Sequence, residues 1–277
     1  MIFYTMQPIS LIAPTVFLGM IMPAHKKVLD FLPSTKGSKT HCSTCSLNSL
    51  CLPLALQSND LDALDQVIKR GRPIQKGHML FKQGELFNAV YAIRTGAIKS
   101  FTVASSGEEQ ITGFHLASEL VGLAGYSEEV YPLSAKALET TTVCELPLDR
   151  LEELCDKIPI LRKQIMRNMA TEIRQDQQMM LQLSKKSSDE RLAYFLVELS
   201  GRFERRGFSA KTFRLPMSRV DISNYLGLAV ETVSRIFTRF QKNGLIITEG
   251  KEITFLNQVE LNTLAGNPVL TADCDAG

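Results

Sequence analysis

The chain has 277 residues, an ordinary hydrophobic content of 44% and a formal net charge of +2, which together suggest a globular protein of two domains. The small net charge hides an asymmetry, because residues 184–257 hold 13 Lys and Arg against 8 Asp and Glu, and the remainder carries a net charge of −3. A basic domain joined to a mildly acidic one is typical of proteins that bind nucleic acid with one end. The 6 cysteine residues are too sparse for a disulfide scaffold, so we expect a reducing compartment and a cytoplasmic protein.

The first 24 residues carry no charged side chain and could be a signal peptide or a membrane anchor. Against both, no Lys or Arg precedes the apolar stretch, and Pro8, Pro14 and Pro23 interrupt it. We therefore expect a start site placed too early, so that residues 1–24 have no function; a disordered or weakly membrane-associated tail is the alternative. Residues 1–40 are predicted to be an N-terminal extension that is disordered or follows from an early start site, and no membrane partner is predicted.

Three cysteine residues lie close together in a Ser/Thr/Asn-rich segment, predicted as a loop over residues 41–58. Cys42, Cys45 and Cys51 have the spacing C-x2-C-x5-C, which can wrap one metal centre, and Cys144 could supply a fourth ligand. Four soft sulfur ligands select zinc or an iron–sulfur cluster. Zinc is retained as an alternative because His41 could add a nitrogen ligand. Taken alone, Cys144 could equally be a small buried hydrophobic residue.

The remaining two cysteine residues, Cys155 and Cys274, are interpreted as non-ligands. The alternative to a metal site is a thiol enzyme that uses the C-x2-C pair. It is disfavoured because none of the four histidine residues lies in a recognisable nucleophile context. No enzymatic activity is predicted.

Residues 59–158 begin with a predicted short amphipathic helix near residues 60–69. They continue as short apolar runs separated by turn signals. Five glycine residues punctuate these runs: Gly77, Gly84, Gly96, Gly107 and Gly125. Short strands at such spacing favour an antiparallel barrel or sandwich. In TTVCELPL, strand alternation puts Cys144 on the face opposite to Val143 and Glu145, so Cys144 can point towards the packed cysteine loop.

Residues 159–187 predict one long helix, because no Gly or Pro interrupts them from Leu161 onwards. Apolar and polar residues recur there at alternating spacings of three and four, as in the seam of a two-stranded coiled coil. The seam comprises Arg162, Met166, Met169, Ile173, Asp176 and Met180. The alternative is a helix whose apolar stripe packs against its own barrel.

Asp176 gives the predicted seam a special property. In a parallel homodimer two copies of this carboxylate would lie about 6 Å apart and repel by about 3 kcal/mol at an effective dielectric constant near 20. Desolvation adds to that cost. The dimer would therefore be conditional, as a regulator that dissociates when its signal disappears requires.

Residues 188–262 predict a winged helix-turn-helix domain, followed by a flexible tail over 263–277. Ser218 caps one helix, Gly227 makes the turn, and a second helix follows with Glu231, Ser234 and Arg235 on its exposed N-terminal face. Recognition helices present that face to base edges in the major groove of double-stranded DNA. The alternating LIITEGKEITFL predicts a β-hairpin wing.

Several segments resemble the oxygen-sensing fumarate and nitrate reduction regulators (FNR), a branch of the cyclic-AMP receptor protein superfamily. The resemblance spans about residues 40–265 and rests on HCSTCSLNSLC, PIQKG, YAIRTGAIKS, EQITGFHLA, SAKALET, LQLSKK and NYLGLAVETVSRIFTRFQKNG. It implies an α+β fold with an N-terminal cyclic-nucleotide-binding-like antiparallel β-roll, a long dimerisation helix and a C-terminal winged helix-turn-helix.

The same resemblance implies a function and its site residues. It implies one [4Fe–4S] cluster per subunit on Cys42, Cys45, Cys51 and Cys144, with dimerisation and DNA binding in the absence of oxygen. Glu231, Ser234 and Arg235 match the residues that read a TTGAT-type half-site, Asp176 matches an acidic position of the dimer helix, and Ser46 matches a position that tunes oxygen reactivity. RNA polymerase is the implied partner, with barrel loops such as residues 105–109 as its contact. We therefore expect a regulator that activates or represses genes of anaerobic metabolism.

The chain departs from the cyclic-nucleotide branch at two positions. Leu123 and Leu133 stand where that branch has the Glu that holds a ribose hydroxyl and the Arg that pairs with the phosphate. A buried cyclic phosphate without a cationic partner is prohibitive, so no cyclic nucleotide is expected. A regulator of the same fold that responds to zinc or to another small ligand remains the alternative.

Overall fold

The structure is a computed structural model that describes residues 41–266. The predictions for residues 1–40 and for most of the predicted tail, together with Cys274, lie outside the described residues. Within them, the order of elements is a cysteine-rich segment, a strand-rich region, a long helix and a second helical domain. The predicted α+β architecture is confirmed.

The strand-rich region is a β-roll made of two four-stranded antiparallel sheets. Its strands are β1 (Lys69–Arg70), β2 (Met79–Phe81), β3 (Ala89–Thr95), β4 (Ala97–Val103), β5 (Glu109–Leu116), β6 (Leu120–Val121), β7 (Ser134–Ala137) and β8 (Thr142–Pro147). The strand orders are β1-β8-β3-β6 in one sheet and β2-β7-β4-β5 in the other. Strand β3 is buried over its first five residues and lies between β8 and β6 in its sheet.

Three helices pack against this β-roll. They are α1 (Ser58–Val67), α2 (Leu148–Lys157) and the long α3 (Pro159–Lys185). Leu64 of α1, Leu151 of α2 and Leu161 of α3 are fully buried in one apolar core with the strands. Helix α2 was not predicted separately, because its ten residues follow β8 without a turn signal in the sequence.

The second half of α3 leaves the β-roll. Leu161 and Ile165 are buried, whereas Met166, Ile173 and Met180 are 64%, 58% and 69% exposed at intervals of seven residues. This stripe therefore does not pack against the β-roll of its own chain. Apolar side chains at this exposure and spacing are what an unpartnered coiled-coil seam presents.

The C-terminal domain consists of four helices and a three-stranded sheet of order β10-β11-β9. Its elements are α4 (Ser188–Arg205), β9 (Thr212–Arg214), α5 (Arg219–Leu226), α6 (Val230–Lys242), β10 (Ile246–Glu249), β11 (Glu252–Phe255) and α7 (Gln258–Ala265). Ser187 and Ser218 form capping boxes with Glu190 and Asp221, as predicted for Ser218. The predicted domain ended at residue 262, but helix α7 continues to Ala265.

A buried ionic network joins the two domains. Glu119, in the β5–β6 turn, accepts hydrogen bonds from Arg202 Nε (3.1 Å) and Nη2 (2.5 Å) and from Arg206, both at the C-terminal end of α4. Arg202 Nη2 also donates to the Phe114 carbonyl at 2.5 Å. Burial alone would raise the pKa of Glu119, but the two guanidinium groups lower it from an ordinary 4.5 to about 2.

We expect Glu119→Gln to lower the free energy of unfolding by about 3 kcal/mol at pH 7, because two buried arginine side chains lose their counter-charge. Since the pKa of Glu119 is depressed in the folded state, its contribution is present above pH 4.5 and is lost as the pH falls towards 2. Urea unfolding at pH 7 and at pH 3 tests this. The difference between wild type and variant must shrink at pH 3, and an unchanged difference would contradict the assignment.

None of the helices between residues 41 and 266 combines the length and the apolar character needed to cross a membrane.

Candidate functional site

Four cysteine residues from two distant parts of the chain line one cavity. Cys42, Cys45 and Cys51 come from the segment before α1, and Cys144 comes from the middle of β8, 93 residues after Cys51. The rest of the wall is mainly apolar and includes Leu52, Leu64, Ile68, Ala92 and Leu146. The structure therefore brings together the four residues that the sequence had singled out.

Short-range turns shape the cysteine segment. A 3-10 helix at Cys42–Thr44 is followed by turns in which Cys45 N–H donates to the Cys42 carbonyl and Cys51 N–H donates to the Leu47 carbonyl. A second 3-10 helix, Leu52–Ala55, starts directly after Cys51 and has Pro53 in its first turn. These local bonds project the three cysteine side chains from one compact loop.

The donor set fits an iron–sulfur cluster better than a single ion. Among residues 41–266 no three His, Cys, Asp or Glu side chains are arranged to hold one metal ion, as tetrahedral zinc would require. A cluster with four irons spreads its ligand sulfurs farther apart than one ion does. The cavity between the four cysteine side chains has a volume of about 30 Å³.

Burial favours the protonated form of three of these thiols, those of Cys42, Cys51 and Cys144. Burial raises the pKa of Cys42 to about 12, with a further contribution from Asp65, and burial raises the pKa of Cys51 to about 12 as well. Burial also raises the pKa of Cys144. Thiolates form at such a site only when metal binding displaces the protons, so loading must change the charge of the cavity.

The cysteine segment touches the long helix. The 3-10 helix Leu52–Ala55 packs against α3, and Leu52 belongs to the same buried core as Leu161 and Ile165. The cysteine segment is therefore in direct contact with the start of the helix that carries the exposed stripe.

Helices α5 and α6 present the predicted DNA-reading face. Gly227, with φ +62°, makes the turn between them in the left-handed conformation that favours glycine. Val233, Ile236, Phe237 and Phe240 are buried under α6 and hold its orientation. Glu231, Ser234 and Arg235 all lie exposed on its first two turns.

The predicted dimer residues lie along one side of α3. Arg162 and Asp176 are exposed with Met166, Ile173 and Met180, whereas Met169 is half-buried against the β-roll core. Asp176 falls within the exposed stripe, three residues after Ile173 and four before Met180.

Two family models match the chain. The cyclic nucleotide-binding domain matches residues 72–158, and the Crp-like helix-turn-helix domain matches residues 190–264. The transcriptional activator protein Anr of Pseudomonas aeruginosa is 63% identical over 228 residues, which cover 82% of this chain and 93% of that relative. The chain belongs to the FNR branch of the CRP/FNR transcription regulators.

A second FNR relative and a solved structure support this family assignment. The fumarate and nitrate reduction regulatory protein of Vibrio cholerae is 52% identical over 244 residues, covering 88% of this chain and 96% of that relative. The structure of FixK2 from Bradyrhizobium japonicum superposes with a TM-score of 0.66 at 31% identity, covering 72% of this chain and 97% of that one. The chain is thus similar to DNA-binding regulators, and its relatives are not enzymes.

Leu123 and Leu133, the two positions at which no nucleotide contact was expected, differ in burial. Leu123 is buried in the β-roll core, and Leu133 lines a second cavity, of about 460 Å³, between the β-roll, α3 and α4. Neither side chain can hold a ribose hydroxyl or a phosphate. Inside the roll, the rings of Phe81 and Tyr131 stack with centroids 3.8 Å apart.

Sequence reasoning missed two charged residues of the cysteine site. Asp65 and Arg70 contact the cysteine loop, yet they lie 14 and 19 residues beyond its last cysteine, within the predicted short helix and just after it. No local signal distinguished them, because α1 carries other acidic residues and Arg70 lies outside this helix, in β1. Arg70 reaches Cys144 through the pairing of β1 with β8, and Asp65 reaches Cys42 because α1 packs against the Cys42–Thr44 3-10 helix. Spacing along the chain reveals neither contact.

Proposed function

We propose that this chain is an oxygen-responsive transcription regulator in which Cys42, Cys45, Cys51 and Cys144 hold one [4Fe–4S] cluster per subunit. In the absence of oxygen it dimerises through α3 and binds palindromic TTGAT-type sites through Glu231, Ser234 and Arg235. It then activates or represses genes of anaerobic metabolism. As a DNA-binding regulator it would act in the cytoplasm, with RNA polymerase contacted through β-roll loops such as residues 105–109.

One observation carries this proposal: four cysteine side chains from two distant segments converge on one mainly apolar cavity. Soft thiolates in such a pocket suit an iron–sulfur cluster, and the apolar wall limits access of water. When bound, the cluster would tie the cysteine loop to β8 and supply an inorganic core that oxygen can destroy.

The coupling to DNA would run through contacts between the chain's own residues. The 3-10 helix Leu52–Ala55 rests on α3, so a loop shifted by loading would reposition the first turns of that helix. Repositioned helices would pack Met166, Ile173 and Met180 across a dimer seam and offset the repulsion between the two Asp176 carboxylates. The dimer would then space its two recognition helices one turn of DNA apart, so that both half-sites are bound together. Binding of one recognition helix to a single half-site would be too weak.

The iron, sulfide and zinc content of protein purified under strictly anaerobic conditions tests the cofactor. We expect iron and acid-labile sulfide in equal amounts, about four of each per chain as the cluster type demands, and a brown colour with broad visible absorbance. A colourless, zinc-loaded protein that still binds DNA would overturn the proposal and favour the zinc-responsive alternative.

The DNA-reading face gives a separate prediction. Arg235→Ala should weaken binding to a TTGAT-type site by about 1–3 kcal/mol and relax discrimination at the guanine, because arginine pairs bidentately with guanine O6 and N7. The control is Arg150→Ala, which removes an exposed arginine from α2 of the β-roll. Fluorescence anisotropy against the intact site and against a site with the guanine replaced measures both effects. Equal loss on both sites would contradict a reading role for Arg235.

A further inference from the structure

The charged side chains in the wall of the cysteine cavity are two arginines, one of which is in contact with the carboxylate of Asp65. Among the described residues in its wall, the charged side chains are Arg70 and Arg94, and none is acidic. Four thiolates bring more negative charge than an iron–sulfide core neutralises, so the loaded cavity is anionic. An anion in an apolar pocket is costly unless a cation or a hydrogen-bond donor faces it.

Arg70 lies between the two segments that supply the ligands. In the β1–β8 pair its Cα is directly opposite that of Cys144. Its guanidinium Nη2 lies 3.7 Å from the Sγ of Cys42, within donor distance for sulfur. The Arg70 side chain is 25% exposed, so solvent screens it only in part.

Asp65 of α1 holds this guanidinium in place. Its Oδ1 accepts from Arg70 Nη2 at 2.5 Å and from the Cys42 backbone N–H at 2.8 Å. Its Oδ2 lies 2.8 Å from Nδ1 of His41. One carboxylate, 13% exposed, therefore fixes both the start of the cysteine loop and the direction of the arginine.

The neighbouring residue provides a comparison within the same strand. Lys69 precedes Arg70 in β1, and because side chains alternate along a strand it points to the other face. Its side chain is 68% exposed and pairs with Glu145 at 3.7 Å. Lys69 thus carries the same charge at nearly the same place in the chain without facing the cysteines.

We propose that Arg70 is the counter-charge of the loaded cysteine site and donates a hydrogen bond to the Cys42 sulfur, with Asp65 as its positioning residue. This inference rests on the proposed function and assigns it two further residues. Charge and hydrogen bonds at the ligand sulfurs control the stability and potential of iron–sulfur clusters. The pair would therefore govern how firmly the cluster is held.

The test is the rate at which iron is lost to a ferrous chelator under anaerobic conditions, followed by visible absorbance, in wild type, Arg70→Gln, Arg70→Lys and Lys69→Gln. We expect Arg70→Gln to lose iron about 10-fold faster or more, as for other outer-shell partners. Arg70→Lys should restore part of the retention, because it keeps the charge but not the planar fork. Lys69→Gln should match wild type.

A merely structural role for Arg70 would give a different pattern. In that case the apo forms of Arg70→Gln and wild type would differ in thermal unfolding, and the loaded forms would lose iron at equal rates. Asp65→Asn offers a second route, because it removes the charge that holds Arg70 while keeping a side chain of the same size. We expect its iron loss to be accelerated too, and the double variant to be no faster than Arg70→Gln.

Equal rates of iron loss for wild type, Arg70→Gln and Asp65→Asn would overturn this inference and leave the proposed function intact. A wild-type protein that contains no iron and sulfide would overturn the proposed function itself, and this inference with it. The iron and sulfide content of the wild-type sample, measured first, separates the two outcomes.

Discussion

Replacing Cys144 with serine is expected to abolish cluster binding, leaving a chain that stays monomeric and fails to occupy its DNA site under anaerobic conditions. Cys144 alone among the four cavity cysteines comes from the β-roll, so its loss would leave the loop cysteines without an anchor on β8. A serine hydroxyl is a hard, weakly acidic group and a poor ligand for the iron of a cluster. Iron content, sedimentation velocity and DNA binding of one anaerobic preparation measure the three losses together.

The matched control is Cys155→Ser. Cys155 is a half-buried free thiol on α2, packed against the same β-roll core, but it does not line the cavity. We expect this variant to keep its iron, its dimer and its DNA binding. If Cys144→Ser behaved like Cys155→Ser, Cys144 would be a small buried hydrophobic residue and the four-cysteine site would be wrong.

Asp176→Ala is expected to give a dimer that persists in air. The carboxylate lies in the exposed stripe of α3, and two copies about 6 Å apart would repel by about 3 kcal/mol at an effective dielectric constant near 20. Removing that repulsion should lower the dimer dissociation constant by about two orders of magnitude, since each 1.4 kcal/mol is a factor of ten. Analytical ultracentrifugation of aerobic, cluster-free protein over a concentration series measures the constant.

Asp62→Ala is the control for this change. It removes an exposed carboxylate from α1, far along the chain from the seam, and alters the net charge by the same amount. Its aerobic dissociation constant should equal that of wild type. An Asp176→Ala protein that remained monomeric in air would show that the seam acid does not set the switch.

The cysteine site shows how far sequence reasoning reaches. The close spacing of Cys42, Cys45 and Cys51 predicts a shared centre on local geometry alone, because a short loop can bring three side chains together. Assigning Cys144 to the same centre needed the resemblance to FNR regulators. The contacts of Asp65 and Arg70 could not be predicted, because they follow from how α1 packs on the cysteine segment and from how β1 pairs with β8.

The rest of the fold shows the same difference between features that are set locally and features that depend on residues distant in the sequence. The heptad spacing along α3, the capping residue Ser218 and the turn at Gly227 are encoded locally, and the structure contains each of them. Strand β9 has three residues and exists only because β11 lies beside it. The Glu119 network, which joins residues more than eighty positions apart, could not be inferred from either end alone.

The central claim is that an intact cluster decides whether two chains associate. The most direct measurement is the molar mass of one anaerobic, iron-loaded sample by light scattering after size exclusion, repeated after exposure to air, with iron and sulfide assayed in both states. We predict the mass of a dimer that falls to that of a monomer as iron and sulfide are lost together. A mass that is unchanged while the cluster disappears would contradict the claim.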